Sequence, residues 1–390
     1  MKEKKYYDND GNLITEASII ALLEQQERIP DDLRFPFMTN RISGGREPER
    51  MQWLASYTVF RLANNSSQES DIRAYLSENG IDNSDLINRF RGALLGLAIG
   101  DALGTTLEFQ PKGSFAPISE MIGGGPFNLK PGYWTDDTSM MYCLAHSLVR
   151  RKGFDAEDQM KLYCKWWHDG IFSSTGSCFD IGNTVKQSLT IFERTGEPFS
   201  GSTRADSAGN GSLMRLAPIP LFFHNDFSKA VHYGGQSSKT THGAIEAVDA
   251  CRYMSALIWG ALNGVSKHDL LDGIYEAEEG YWSKHSLCES ISKMIKSGEF
   301  KNKTAGEIRA SGYVMHSLEA ALWAFYHSDS YKEGALMAVN LGEDADTTGA
   351  IYGQLAGAYY GEYELPFEWV RKLKDYHVFY LKAEELKQIV

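Results

Sequence analysis

The chain has 390 residues, with 39 basic against 51 acidic for a net charge of −12, 43% hydrophobic and 23% charged. Those proportions belong to a globular protein and exclude a disordered or fibrous one. The acidic total argues against nucleic acid or an anionic membrane surface as a partner.

The first residues, Met1-Lys-Glu-Lys-Lys, carry basic charge with no apolar run behind it, so no secretory signal is expected. Residues 15–28 predict a short amphipathic helix, with Ile19, Leu22 and Leu23 at helical spacing. Residues 28–50 hold Pro30, Pro36, Pro48, Gly44 and Gly45, together with Arg28, Arg34, Arg41, Arg46 and Arg50 and no lysine. Such a segment predicts an irregular, arginine-bearing arm. Helical patterns return over 51–63 and 70–78, joined through 64–70.

From residue 87 the pattern changes to long helix-period segments separated by Gly- and Asp-rich loops. Helices are predicted over 87–103, 135–152, 156–170, 183–195, 210–223, 241–262, 266–280, 286–297, 317–327, 331–340, 346–361 and 366–381. Strand alternation is scarce and no βαβ rhythm appears. The expectation is an all-α protein: a multi-helix catalytic domain over 87–390 and a partly helical extension over 1–86. The most apolar stretch, 92–100, is short and closed by Asp101, whereas a bilayer span needs about 20 apolar residues. Cys143, Cys164, Cys178, Cys251 and Cys288 lie far apart without a CxxC pair, which disfavours a disulfide scaffold or structural zinc and favours a reducing compartment. A soluble, cytoplasmic chain is expected.

Two acidic clusters open predicted helices. In Thr135-Asp136-Asp137-Thr138, hydroxyls and carboxylates suit a helix cap, yet one carboxylate suffices for that, and metal binding is the other reading. In Gly342-Glu343-Asp344-Ala345-Asp346-Thr347-Thr348-Gly349, Asp344 and Asp346 face one way when extended. Carboxylates and hydroxyls are hard ligands that suit Mg²⁺ or Mn²⁺ and not zinc. If the clusters meet, four carboxylates crowd together, and like charges drive some to protonate unless cations intervene. Two metals polarise a water and hold a sugar hydroxyl.

Other signals are weaker alone. Gly100-Asp101-Ala102-Leu103-Gly104 before Glu108 suggests close helix packing or a turn exposing that Glu. Asp180, in Cys178-Phe-Asp-Ile-Gly-Asn183, reads as a cap. Gly209-Asn210-Gly211 before a helix exposes N–H groups, a seat for phosphate, but lacks the Gly-Lys-Ser/Thr ending of a Walker A loop. His242 reads first as a structural histidine.

In this order, the segments 100–104 with Glu108, 134–138, 178–183, 209–215, 241–242 and 342–349 resemble the ADP-ribosylglycohydrolases, the family that includes dinitrogenase reductase-activating glycohydrolase. The resemblance covers roughly residues 87–375. It implies an all-α fold and two Mg²⁺ (or Mn²⁺) ions on Thr135, Asp136, Asp137, Asp344, Asp346 and Thr347. It further implies hydrolysis of the N-glycosidic bond between ADP-ribose and a protein side chain. Asp180 falls where arginine-directed members place an acid beside the scissile bond, Glu108 where serine-directed members carry a functional Glu, and a metal-site Asp such as Asp137 is a third acid–base candidate. The string around Asp180 favours arginine. Gly209, Asn210 and Gly211, with His242, Asn183 and Tyr352, would line the ADP-ribose. A branch of the family carries N-terminal extensions and acts as immunity proteins, the extension plugging an ADP-ribosyltransferase toxin. Residues 1–86 would bind the toxin here. The alternative is a non-catalytic protein that neutralises a toxin by occlusion alone.

Overall fold

The computed structural model describes residues 84–388, so the expectations for 15–28, 28–50, 51–63 and 70–78 lie outside the described residues. Among the described residues all regular elements are helical and only isolated bridges replace strands, as between Gly209 and Tyr313. The helices are α1 (Asp85–Gly104), α2 (Asp136–Arg151), α3 (Ala156–Asp169), α4 (Asn183–Thr195), α5 (Pro218–Phe222), α6 (Phe227–Lys239), α7 (Ile245–Leu262) and α8 (Lys267–Leu271). They continue with α9 (Tyr281–Lys284), α10 (Glu289–Ser297), α11 (Val314–His327), α12 (Tyr331–Val339), α13 (Ala345–Tyr360), α14 (Phe367–Lys372) and α15 (His377–Gln388). The expectation of an all-α fold holds.

The centre is the pair α1 and α13, each buried on nearly every side, as expected for helices that are apolar all round. Glycine recurs every fourth residue on both: Gly92, Gly96, Gly100 and Gly104 on α1, and Gly349, Gly353 and Gly357 on α13. A Cβ on Gly100 would lie 2.0 Å from the Gly349 carbonyl oxygen, and one on Gly353 would lie 2.1 Å from that of Gly96. Without side chains between them the two backbones touch, and this contact brings the C-terminal end of α1 against the N-terminal end of α13. Gly353→Ala should therefore destabilise the fold by about 1–3 kcal/mol, the range for overpacking. That outweighs the ~0.5–1 kcal/mol gained by removing a helical glycine. Urea unfolding measures the difference.

The structure corrects several predicted helices. α6 has no predicted counterpart. Its buried face includes Ala230, Val231, Gly234, Gly235, Ser237 and Ser238, small residues that give little hydrophobic period. They are small because α7 is close: a Cβ on Gly234 would lie 2.2 Å from Ser255 Oγ. The predicted helix 210–223 is a run of turns followed by the short α5, which starts at Pro218. Predicted 266–280 shrinks to α8, with Gly273 at φ 77° beyond it. Predicted 366–381 breaks into α14 and α15, with Asp375 at φ 49° between them. All five cysteines are free thiols.

Candidate active site

Asp101 is the only charged residue in the apolar second half of α1 and is fully buried. It gathers the start of α2. Its Oδ1 accepts from Thr135 N and Thr135 Oγ1, both at 2.9 Å. Its Oδ2 accepts from Thr138 N at 3.1 Å and Thr138 Oγ1 at 2.6 Å. Four donors occupy the lone pairs of one carboxylate. Thr135 Oγ1 also lies 3.1 Å from Asp137 Oδ2 and 3.2 Å from Asp346 Oδ2, although one hydroxyl proton serves one acceptor only. Asp137 Oδ1 is buried without a hydrogen-bond partner.

The start of α13 completes the cluster. Glu108, buried just after the end of α1, accepts from Ala345 N at 3.0 Å and Asp346 N at 3.4 Å, so it caps α13. Asp344 Oδ2 accepts from Asn210 Nδ2 at 2.8 Å, and the same amide reaches Ser317 Oγ at 2.8 Å. Asp346 Oδ1 accepts the Thr347 N–H at 2.7 Å. The carboxylate oxygens fall into two sets, Asp101 with Asp137 and Asp346, and Glu108 with Asp344 and Asp346, each lying within 4.8 Å of one another. Asp346 belongs to both.

Burial, and then the charge of Asp346, push these groups upward. Asp136 and Asp137 rise well above the carboxylate range. Asp344 and Asp101 are pushed up to about 7, and Glu108 rises further. Among the described residues no Lys or Arg pairs with any of them. A buried all-oxygen set of this density either takes up protons or holds cations. The unpartnered Asp137 oxygen, the over-subscribed Thr135 hydroxyl and the lack of nitrogen or sulfur ligands all fit hard divalent cations. The two sequence clusters therefore meet, with Thr347 at the same helix start.

Asp180 sits in a half-buried loop at φ 58°. Its carboxyl is pushed up to about 10 by burial and by the charges of Asp136, Asp346 and Asp344. Asn183 is exposed at the start of α4.

Gly209–Gly211 and His242 come together differently from expectation. The N–H groups of Gly209 and Asn210 are already taken by Ser207 O (2.8 Å) and Gly312 O (3.1 Å), so neither is left to seat a phosphate. His242 lies buried under the loop: a Cβ on Gly211 would come 2.9 Å from its ring, one on Gly209 3.3 Å. The two glycines make room for it. Burial and Arg215 push His242 down to about 3, so it is neutral, with Nδ1 2.9 Å from Thr241 Oγ1. Its ring forms the floor of the loop. Tyr352 is also corrected. It is fully buried, and its hydroxyl donates to Tyr331 O at 3.0 Å, in the packing of α13 on α12. The residues missed from sequence are Asp101, visible as a lone charge in an apolar helix, and Ser317, which carried no local signal.

A family model described as ADP-ribosylglycohydrolase matches residues 82–390. The chain is 42% identical over 287 residues to the ADP-ribosylarginine hydrolase Tri1 of Pseudomonas putida, covering 74% of each chain. It is 38% identical over 307 residues to the protein of that name in Serratia proteamaculans, covering 78% of this chain and 81% of the relative. To the ADP-ribosyl-[dinitrogen reductase] glycohydrolase of Rhodospirillum rubrum it is 29% identical over 290 residues, covering 73% of this chain and 90% of the relative. A solved structure described as an ADP-ribosylglycohydrolase-related protein complex aligns with a TM-score of 0.68 at 39% identity, covering 78% of this chain and 99% of that one.

Proposed function

The chain belongs to the ADP-ribosylglycohydrolase family and is a hydrolase that removes ADP-ribose, and from that premise we propose that its acceptor is a protein arginine side chain and that it works with two divalent cations, Mg²⁺ or Mn²⁺. The observation that carries the metal reading is the convergence of two oxygen sets on Asp346. Thr135, Asp136, Asp137, Asp344, Asp346 and Thr347 would hold the ions. When bound, the cations supply an activated water and a hold on ribose hydroxyls. The arginine reading is supported by the printed name of the relatives at 38–42% identity and by Asp180.

The chain's own residues do the rest. Asp101 and Glu108 fix the starts of α2 and α13, so the ligand carboxylates are held before substrate arrives. Asn210 orients Asp344 through its amide. Asp180, less enclosed than its neighbours, is the carboxylate best placed to face the cationic leaving group or to take a proton at the water. As the bond to C1″ of the ribose breaks, positive charge grows on the sugar and leaves the guanidine, and a wall of carboxylates stabilises that sugar cation.

Residues 1–86 are read as a partner-binding arm before a catalytic domain of residues 87–390. A family match starting at residue 82 and the compact clustering of residues 85–390 support the division. In this reading the arm blocks an ADP-ribosyltransferase toxin in the cytoplasm, while the domain erases the modification. The deciding experiment incubates the full chain with a mono-ADP-ribosylated arginine protein, with and without Mg²⁺. Release of label only with the metal is expected. Label that persists under both conditions, with toxin activity still suppressed, would leave occlusion alone.

A further inference from the structure

Three phenylalanines form a row beside the acids that the chemistry above does not use. Phe109 directly follows Glu108, and Phe179 directly precedes Asp180. Phe127 stands between them, its ring centroid 6.4 Å from that of Phe109 and 5.3 Å from that of Phe179. Phe109 is 63% exposed and sits at φ 61°, a left-handed conformation that is an outlier for a bulky side chain. Its N–H donates to Glu343 O at 2.7 Å, which ties the strained residue to the start of the Asp344 segment. Strain and an exposed ring both cost stability, and no core burial of this ring offsets them. Backbone strain of this kind gathers at working sites. Asp180, at the other end of the row, has φ 58°.

The chemistry next to the row is specific. The Phe109–Phe127–Phe179 row runs from Glu108 at one end to Asp180 at the other, so a carboxyl group adjoins a ring in sequence at each end. A guanidinium is attracted by carboxylates and by ring faces, and an apolar methylene stem follows it. We propose, resting on the arginine reading above, that Phe109, Phe127 and Phe179 form the acceptor-side wall of the site, receiving the methylene stem of the modified arginine and the polypeptide flanking it.

Phe109→Gly tests the wall with little risk to folding, because glycine suits the left-handed backbone. Phe179→Ala is the second variant. Each is assayed on an ADP-ribosylated arginine protein and on ADP-ribosyl-guanidine, which has no stem. The expected result is that kcat/KM on the protein falls about tenfold further than on the guanidine adduct, mainly through KM, as for the loss of apolar contact to one or two methylenes. An equal loss on both substrates, or no loss on the protein, overturns the wall. A folded wild-type chain that releases ADP-ribose from neither substrate overturns the arginine reading first, and the wall with it.

Discussion

Asp346→Asn should lower ADP-ribose release by on the order of 10³-fold or more, while leaving the metal-free fold as stable as the wild type or more so. The two effects share one cause. Asp346 is the carboxylate common to both oxygen sets. It is also the first charge, after burial, that raises Asp101, Glu108, Asp136, Asp137 and Asp344. Asparagine there would remove the carboxylate that both oxygen sets share and would relieve the repulsion among the rest. Activity and stability moving in opposite directions is the signature of a site kept for function. The metal-free protein should show the same repulsion in its pH dependence. Asp101 and Asp344 rise from 3.8 to about 7, so the folded state binds more protons than the unfolded one. Their contribution is fully present below about pH 4 and is lost as pH rises through 7. Thermal unfolding at pH 8 should then shift upward on adding Mn²⁺, and less at pH 5, where protons compete with the ion. A shift that is equal at both pH values, or an active Asp346→Asn variant, contradicts this account of the cluster.

The acidic clusters were legible because each violates a simpler rule: a helix start needs one capping oxygen, and both have more. That they meet was not legible, because the contact is made by glycines on α1 and α13. Their four-residue spacing is visible in the sequence, but it says only that a backbone comes close, not which one. α6 stayed hidden because its buried face is mostly Gly, Ala and Ser, with only Phe227 and Val231 as larger apolar residues, so a hydrophobic period has little to register. Gly209 and Asn210 misled for a related reason. Glycine-rich turns advertise free N–H groups, and those of Gly209 and Asn210 are taken by the carbonyls of Ser207 and Gly312, the latter about a hundred residues away. Tyr352 shares a helix with Asp346 but faces α12, and six positions along a helix are enough to turn a side chain from the site to the core.

Asp101→Asn should weaken metal binding 10- to 100-fold, the usual cost of losing a residue that orients ligands, with much of the activity returning at saturating cation. Asp101 offers an oxygen near Asp137 and Asp346, which alone suggests a ligand. Its hydrogen bonds argue otherwise. Two N–H groups and two hydroxyls from Thr135 and Thr138 already point at its oxygens. Asparagine keeps one acceptor oxygen and turns an NH₂ toward donors that need an acceptor, so part of the first turn of α2 loses its anchor. The Thr135 hydroxyl and the Asp136 and Asp137 carboxylates then lose their fixed orientation, while every ligand atom remains present. Excess Mn²⁺ should restore such a site but not Asp346→Asn, which loses one carboxylate oxygen and the negative charge shared by both oxygen sets. Thr138→Val removes one donor to Asp101 and should produce the same metal-dependent defect in milder form. Titrating activity against Mn²⁺ for the three variants separates the two roles: a curve shifted along the metal axis for Asp101→Asn and Thr138→Val, a flat one for Asp346→Asn. An Asp101→Asn curve that stays flat at high metal would make Asp101 a ligand after all.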